Sequence, residues 1–143
     1  MFVGTFEHSI DDKGRLILPS AFRARLADGA FVTPLDNCLA VLPNEEFERM
    51  AEQLQEGVSE GQVAMDALRA FASKADHVTP DSQGRIRLLP GLRETAGIDR
   101  NVVVTGAFRH VEIRDPSRWA EVDSHGTESL VEAITRGRGF GRG

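Results

Sequence analysis

The chain reads DDKGRLIL at residues 11–18 and DSQGRIRL at residues 81–88, and this internal repeat decides its fold. Each copy has an aspartate, a glycine three positions later, an arginine directly after the glycine, and then a mainly apolar run. The copies align without a gap as far as Phe22-Arg23 and Leu92-Arg93, although the proline that ends the run is shifted by one residue in the second copy. Such a repeat predicts two similar structural units, the second slightly distorted.

Both copies lie within the same predicted series of strands and helices. Residues 11–14 and 81–84 are predicted turns, because Asp can bond its own backbone and Gly accepts a positive φ. The apolar and β-branched pattern predicts strands at residues 3–10, 15–18, 30–34 and 38–42, and again at 77–78, 85–89, 102–105 and 110–113. Short helices are predicted at residues 20–27 and 91–96, so each unit has a β-α-β pattern.

The segment between the two units is predicted to form two helices. Asn44 is a predicted N-cap, and the helix after it has an apolar face formed by Phe47, Met50, Ala51 and Leu54. Gly57 is expected to interrupt this helix. Ser59 and Gln62 form a candidate capping box for a second helix, which carries Val63, Ala67, Leu68 and Phe71.

The segment after the second unit is also predicted to be helical. One helix is expected to begin at Asp115-Pro116, and a separate last helix is expected over residues 127–135 with Leu130, Val131 and Ile134 on one face. The Gly/Arg-rich tail at residues 136–143 is predicted to be disordered. The apolar faces of these helices either pack within one subunit or form contacts between subunits.

Composition excludes several classes of protein. The net charge of −5 argues against a chain that coats nucleic acid without specificity, so any DNA-binding surface needs its basic residues concentrated in one place. Cys38 is the only cysteine, so the chain cannot form an internal disulfide or a cysteine-based zinc site. The histidines lack the spacing of helical metal ligands (His8, His77, His110 and His125). No metal or other cofactor is therefore expected.

Membrane insertion, export and catalysis find no support in the sequence. No apolar stretch approaches the roughly 20 residues of a membrane span, and residues 1–4 do not resemble a signal peptide, so a cytoplasmic protein is expected. There is no nucleophile elbow and no phosphate-binding glycine loop. We therefore expect no enzyme and no small-molecule substrate, and a small hydrolase remains as an alternative.

The Asp-x-x-Gly-Arg turn is the main candidate for a functional site. A two-stranded hairpin with such a turn fits the major groove, which is about 12 Å wide. Arg15 can pair with guanine O6 and N7, and Lys13 can reach a phosphate. The alternative is that Asp and Arg only form an ion pair across the turn. Arg23, Arg25 and Arg93 on the short helices are either further phosphate contacts or part of a solvated helix face.

These residues carry a resemblance to a known family. The N-terminal MFVGTF, Ile10, the first turn, Leu18-Pro19 and Phe22-Arg23 resemble the start of MraZ proteins, and residues 81–86 resemble their second half. The resemblance extends to about Trp119. It implies an α+β fold in which tandem AbrB-like β-α-β repeats form a pseudo-two-fold double-split β-barrel with flanking helices. The implied domains are the first repeat (5–47), a helical connector (48–75), the second repeat (76–119), and a C-terminal helix with the tail (120–143).

The resemblance also implies a function. MraZ proteins are DNA-binding transcription regulators that form rings, bind direct repeats near the division and cell-wall gene cluster, and regulate their own operon. By resemblance, the chain binds double-stranded DNA, assembles with itself, and is cytoplasmic and nucleoid-associated. The DNA-binding role carries over to Asp11, Lys13, Gly14 and Arg15, and to Asp81, Gly84 and Arg85.

The second copy differs from the first at two positions that bear on DNA binding. Gln83 is uncharged where the first copy has Lys13, and Arg87 follows the second turn where the first copy has an apolar residue. The second turn is therefore expected to contribute less to binding. A protein-interaction module, as in antitoxin-like AbrB relatives, is kept as an alternative function.

Overall fold

The computed structural model describes residues 1–139, which form eight strands and five α-helices in an α+β fold. The first unit contributes β1 (Thr5–Ser9), β2 (Arg15–Ile17), α1 (Ser20–Leu26), β3 (Ala30–Leu35) and β4 (Cys38–Pro43). Between the units lie α2 (Asn44–Ser59) and α3 (Met65–Lys74). The second unit contributes β5 (Asp76–Val78), β6 (Arg85–Arg87), α4 (Pro90–Thr95), β7 (Asn101–Gly106) and β8 (Val111–Arg114), and α5 (Pro116–Thr135) follows.

The two units exchange strands. A six-stranded antiparallel sheet has the order β1-β7-β8-β4-β3-β5, and a separate antiparallel ribbon pairs β2 with β6. The first strand of each unit pairs with the third strand of the other, β1 with β7 and β5 with β3. The predicted α+β fold of two related β-α-β units is therefore confirmed, and their strands are interleaved around one core.

The predicted distortion of the second unit is absent at the short helix. Helices α1 and α4 begin at Ser20 and Pro90, which keep the spacing of the repeat, and their inward residues Phe22 and Leu92 are both buried. The shifted proline leaves the register intact because proline is compatible with the first helical position, where no backbone N–H is needed.

The symmetry is broken at the edge strands instead. Ile10 forms a bridge with Leu16 and donates its N–H to Arg100, so β1 continues to the first turn. Pro80 occupies the equivalent position in the second unit, and proline has no N–H to donate. The missing donor accounts for the earlier end of β5, which stops at Val78 where β1 continues to Ser9.

The core lies between the sheet, the ribbon and the two short helices. Ribbon residues alternate between the two faces, so that Leu16 and Ile86 are buried while Ile17 and Arg87 are exposed. The other core residues come from both units (Phe2, Ile10, Leu18, Phe22, Leu26, Ala30, Val32, Leu39, Val41, Leu88, Leu92, Ala96, Ile98, Val102, Val104, Val111 and Ile113). The ribbon thus has an inner face that closes the core and an outer face that is free for other contacts.

The predictions for the start and end of α2 are wrong. Asn44 is the first residue of α2, not its N-cap, and its side chain bonds the Asp28 carbonyl at 3.3 Å. Gly57 lies inside the helix, which continues to Ser59. It is a close-approach position: a Cβ at residue 57 would lie 2.5 Å from the side chain of Val63, because the following loop folds back on it.

Two other helix predictions are corrected as well. The capping box at Ser59 and Gln62 is wrong, because the loop bonds back to Gly57 and α3 starts only at Met65. The two helices predicted after the second unit form the single helix α5, which Asp115 caps by accepting the N–H of Ser117. Gly126 has open space around it, and its helix penalty of about 1 kcal/mol is too small to break a 20-residue helix.

The structure describes four residues beyond the end of α5. Beyond α5, Arg136 pairs with Glu132 at 2.7 Å, and the last four residues of the predicted disordered tail (140–143) lie outside the described residues. Among the helices of the described part, none is long and apolar enough to cross a membrane.

Candidate nucleic-acid interface

The two repeated turns have the same hydrogen-bond geometry. Asp11 Oδ1 accepts the backbone N–H groups of Lys13 and Arg15 at 2.9 and 2.8 Å, and its Oδ2 accepts Arg15 Nε at 2.8 Å. Asp81 Oδ1 accepts the N–H groups of Gln83 and Arg85, both at 2.9 Å, and its Oδ2 accepts Arg85 Nε at 2.7 Å. Each aspartate therefore fixes both the turn and the arginine that follows it.

The hydrogen bonds within each turn lower the pKa of its aspartate. The bond from the backbone N–H of Arg15 is the largest cause for Asp11, and the bonds from the Arg15 side chain and from the Lys13 N–H add to it, so that together they outweigh the opposing effect of desolvation. The pKa of Asp81 is lowered for the same reasons by Arg85 and Gln83. A carboxylate that accepts several N–H groups is stabilised in its charged form.

The Asp–Arg ion pair, which the sequence leaves open as an alternative role for these residues, is present in both turns. It engages only part of each guanidinium group. It uses only Nε, and within residues 1–139 the Nη atoms of Arg15 and Arg85 have no hydrogen-bond partner. The side chain of Arg15 is 31% exposed, so it is not sealed inside the core. An ion pair of this geometry orients a guanidinium and leaves two Nη atoms for an external acceptor.

The predicted hairpin at each turn is limited to its closed end. The backbone N–H of each turn aspartate bonds the carbonyl of the arginine, and Ile10 bridges Leu16 across the first turn. Beyond that point β1 pairs with β7, and β2 pairs with β6 of the other unit. Leu18 donates its N–H to the Gly84 carbonyl at 2.9 Å, and Leu88 donates to the Gly14 carbonyl at 2.8 Å. Each turn therefore lies beside the end of the other unit's ribbon strand, and the two turns flank one ribbon.

The outer face of this ribbon is short and basic. Arg15 is directly opposite Arg87, and Ile17 is directly opposite Arg85. Residues opposite each other in an antiparallel pair point to the same side, and the intervening residues are buried. We call these four residues, Arg15, Ile17, Arg85 and Arg87, the ribbon face.

Two arginines from the short helices brace the turns. Arg23 Nε donates to the Leu18 carbonyl and Arg93 Nε donates to the Leu88 carbonyl, both at 3.0 Å. Each passes over the glycine of the other unit's turn: a Cβ would lie 2.5 Å from Arg23 Nε at Gly84 and 3.2 Å from Arg93 Nη2 at Gly14. With φ of +77° and +78° respectively, both positions favour glycine for conformation as well as for space.

Arg25 has different surroundings from the other two helix arginines. Its guanidinium lies over the ring of Phe2 at 4.6 Å and is 3.8 Å from the carboxylate of Glu45. The structure therefore brings Arg23 and Arg93 to the ribbon, together with all seven turn residues of the sequence prediction, and engages Arg25 with Phe2.

Arg87 is the residue that sequence reasoning undervalued. It stands out in the sequence only as a departure from the first copy. The pairing of β2 with β6 gives it its place next to Arg15, and nothing in the sequence reveals which strands pair across the repeat.

Acidic residues are concentrated on other elements. Helix α2 and the residue after it carry Glu45, Glu46, Glu48, Glu52, Glu56 and Glu60, and α5 carries Glu121, Asp123, Glu128 and Glu132. This separation reconciles a net-acidic chain with a basic ribbon face.

Cys38 and Glu112 also have shifted pKa values, and burial or hydrogen bonding within the fold causes each shift. Burial raises the pKa of the Cys38 thiol to about 12, as expected for a buried cysteine that remains protonated. His110 and Arg114 both bond Glu112, and the hydrogen bond from His110 is the main cause that lowers the pKa of that carboxyl to about 2. In the part of the chain that the structure describes, no three His, Cys, Asp or Glu side chains are grouped so as to hold a metal ion.

The predicted equivalence of His8 and His77 is wrong. At the 70-residue offset of the repeat, His8 corresponds to Val78, which pairs with Ala30, whereas His77 is one residue earlier, pairs with Phe31 and is exposed. Successive strand residues point to opposite faces, so the two histidines lie on different faces of their strands. His77 also lies 3.2 Å from the side-chain oxygen of Asn44.

Comparison with known proteins gives one consistent family. The family model described as "MraZ protein, putative antitoxin-like" matches residues 1–69 and again residues 71–139. A protein of Kocuria rhizophila named "Transcriptional regulator MraZ" is 44% identical over 122 residues, which are 85% of each chain. Proteins of the same name are 43% identical over 120 residues in Kineococcus radiotolerans (83% of this chain and 84% of the relative) and 41% identical over 132 residues in a Nocardioides species (92% of each).

Proposed function

Because the chain belongs to the MraZ family, we propose that this transcription regulator binds double-stranded DNA with sequence specificity through the ribbon face and the two turns beside it. One observation carries the proposal: in each turn an aspartate holds the arginine by Nε and leaves both Nη atoms without a partner among the described residues. The relatives are named as regulators of transcription, not as enzymes.

The chemistry of the site suits guanine recognition. A guanidinium that is already oriented loses less conformational entropy when it pairs with guanine O6 and N7 in the major groove. Lys13, exposed at the tip of the first turn, is positioned for a phosphate contact. Arg23 and Arg93 are half-buried beside the turns, so their proposed phosphate contacts are secondary to their bracing role. Arg25 is the least supported of the proposed contacts, because Phe2 and Glu45 already engage it.

A single subunit offers few cations, so we propose that several subunits act together. Neutralising only a few phosphates gives affinities of about 10⁻⁴–10⁻⁶ M, too weak for a specific regulator. A ring of subunits raises the effective concentration of each ribbon on DNA and requires regularly spaced repeats. In this proposal the regulated genes are the division and cell-wall cluster, including the operon of the protein itself, and the protein is cytoplasmic and associated with the nucleoid.

The experiment that tests this function is selection of duplexes from a random-sequence pool with the purified protein, followed by footprinting on the region upstream of its gene. We expect a protected, repeated sequence, and we expect Arg15→Ala to lose specific binding while the fold and the assembly remain. Arg69→Ala is the matched control, because Arg69 is an exposed arginine on α3 whose side chain is 65% accessible. Equal binding by both variants contradicts the proposal.

The family description also supports a second candidate, a module that holds another protein as antitoxins do. A pull-down from lysate with and without DNase separates the two. A complex that forms through DNA disappears after DNase treatment, whereas a direct protein complex persists and favours the second candidate.

A further inference from the structure

An apolar groove lies between the six-stranded sheet and the two helices that connect the units. Its volume is about 360 Å³, which is within the usual range for small-molecule sites. The sheet supplies the floor of the groove through Thr33, Ala40 and Leu42, all of which are buried. Neither the turns nor the ribbon contributes to its lining. The groove is therefore separate from the candidate nucleic-acid interface.

The walls of the groove are helical and apolar. Helix α2 supplies Met50 and Leu54, which are half-buried, and α3 supplies Ala67, Ala70 and Phe71. The small side chains of the two alanines leave space between α3 and the sheet that a larger side chain would fill. Water in contact with such walls is displaced favourably by an apolar chain.

Two side chains with nitrogen atoms, Lys74 and His110, also line the groove, and they differ in their availability. His110 already bonds Glu112 at 2.8 Å. Lys74 is exposed in the last turn of α3, and within residues 1–139 it forms no ion pair, neither with Asp76 of β5 nor with Asp36 of the turn after β3. A lysine can lay its methylene stem along an apolar surface and keep its ammonium group in water. Lys74 therefore offers a positive charge at the edge of an apolar site.

We infer that this groove binds a free medium-chain fatty acid, whose chain lies between the sheet and the two helices and whose carboxylate meets Lys74. The apolar lining matches the chain, and the unpaired ammonium matches the head. A second copy of the chain matches the groove less well, because a stable protein interface uses about 20–30 residues on each side, whereas 12 residues line this groove. The inference goes beyond the proposed function, because no residue of the groove belongs to the ribbon face or to the turns.

The binding experiment uses decanoate, below its micelle-forming concentration, as the probe in calorimetric titrations of the full chain. We expect saturable binding of one molecule per subunit. Affinity should rise about fourfold for each methylene from hexanoate through octanoate to decanoate, the gain expected for burial of a methylene group. Decyltrimethylammonium has the same tail with a positive head, and it should bind more weakly than decanoate. A carboxylate that is held by charge alone shows no dependence on chain length, and this result overturns the inference.

A first pair of variants tests whether the chain occupies the groove. Ala70→Phe fills the groove, and Ala72→Phe is the matched control, because Ala72 is exposed on the same helix and does not line the groove. Ala70→Phe should weaken decanoate binding by about tenfold or more, since the ring takes the place of several methylenes, each worth about fourfold. Ala72→Phe should bind decanoate as the natural chain does. Equal affinities of the two variants for decanoate mean adsorption to the surface and overturn the inference.

A second pair tests the head group and does not depend on the packing of α3. Lys74→Gln and Arg69→Gln each remove one positive charge from an exposed position of α3, but Arg69 lies outside the groove and pairs with Asp66 at 2.9 Å. Lys74→Gln should weaken decanoate binding by about three- to fivefold, the effect of a partly exposed ion pair, whereas Arg69→Gln should leave it unchanged. Circular dichroism verifies the fold of all four variants. An unchanged affinity of Lys74→Gln overturns the assignment of the head group.

Sedimentation distinguishes the fatty acid from a second copy as the occupant of the groove. If the natural protein fails to bind decanoate, and Ala70→Phe sediments as a smaller species than Ala72→Phe, the groove is a contact between subunits and the inference is wrong. DNA selection is a separate measurement, so failure of decanoate to bind leaves the proposed function standing.

Discussion

Each turn is organised by one carboxylate that holds three donors. Asp11 and Asp81 each accept two backbone N–H groups and one arginine Nε at 2.7–2.9 Å. The glycine that follows adopts a positive φ and lets an arginine of the other unit pass over it. At the scale of single residues, the same groups therefore support the fold and orient the guanidinium that we propose for DNA recognition.

The close approach of Arg23 to Gly84 predicts a measurable difference between two glycines. Gly84 and Gly61 have φ of +77° and +74°, but only Gly84 has a neighbour within 4 Å of a Cβ. Both alanine substitutions should cost about 1–2 kcal/mol for the left-handed backbone. Gly84→Ala should lower the free energy of unfolding in urea further, because Arg23 must move. Equal losses at the two positions would show that the arginine adjusts freely.

The lowered pKa values of the turn aspartates predict a pH dependence of stability. A carboxyl whose pKa is lower in the folded protein stabilises it above the unfolded pKa, near 4, and this contribution disappears as the pH falls through the folded pKa. The natural chain should therefore exceed Asp11→Asn in unfolding free energy at neutral pH, and the gap should shrink below about pH 4. Urea unfolding across this range measures it. Asp66→Asn, at an exposed carboxyl on α3, serves as the control and should show a smaller gap.

At the scale of elements, the helices differ in how much of their apolar face is used within the chain. The Phe47 ring of α2 stacks on Phe31 at 3.9 Å and on Phe71 at 4.9 Å, so this face packs within the subunit. Helix α5 has no buried residue, and Leu130 and Val131 are 58% and 59% exposed. Of the two readings left open by the sequence, internal packing therefore holds for Phe47, whereas the apolar side chains of Leu130 and Val131 remain exposed in the single subunit.

The exposed face of α5 predicts a variant with altered assembly. If it contributes to the proposed ring, Leu130→Ser with Val131→Ser should shift the protein to smaller species in sedimentation experiments and leave its unfolding temperature nearly unchanged. The matched control changes Glu121 and Glu128, which are exposed on the same helix, to Ser. An unchanged sedimentation profile would assign subunit contacts to another surface.

At the scale of the whole molecule, strand exchange makes the two units mutually dependent. Among the described residues, β1 pairs with β7 and β2 pairs with β6, both in the second unit, and β2 has only the Ile10–Leu16 bridge within its own unit. The two units visible in the sequence share a pattern of residues, but they fold cooperatively only together.

Separation of the units should therefore remove the folded monomer. The exposed loop at Gly61 is a suitable break, giving fragments 1–61 and 62–143. We expect neither fragment to be a folded monomer by circular dichroism and sedimentation, and we expect a one-to-one mixture to regain the native spectrum. A fragment that unfolds cooperatively as a monomer would show that each unit has its own core.

The sequence by itself determined the two units, the turns, the short helices and the arginines that follow the glycines. These features depend on local chemistry, such as an aspartate that bonds its own turn and a glycine that accepts positive φ. The boundaries of the longer helices were less well determined, because the packing of the loop on Gly57 and the continuity of α5 outweigh local breaking signals.

Only the tertiary structure decided which strands pair, and with that the character of the candidate site. Hydrogen-bonded pairing joins residues that are about 70 positions apart, and no local pattern specifies such a partner. The pairing joins β2 and β6 in one ribbon where two hairpins were expected. It also places Arg23 and Arg93 over the glycines of the opposite turns, and Arg87 beside Arg15. The charge of a surface depends on which side chains meet in space, so it follows from the pairing and not from the order of residues along the chain.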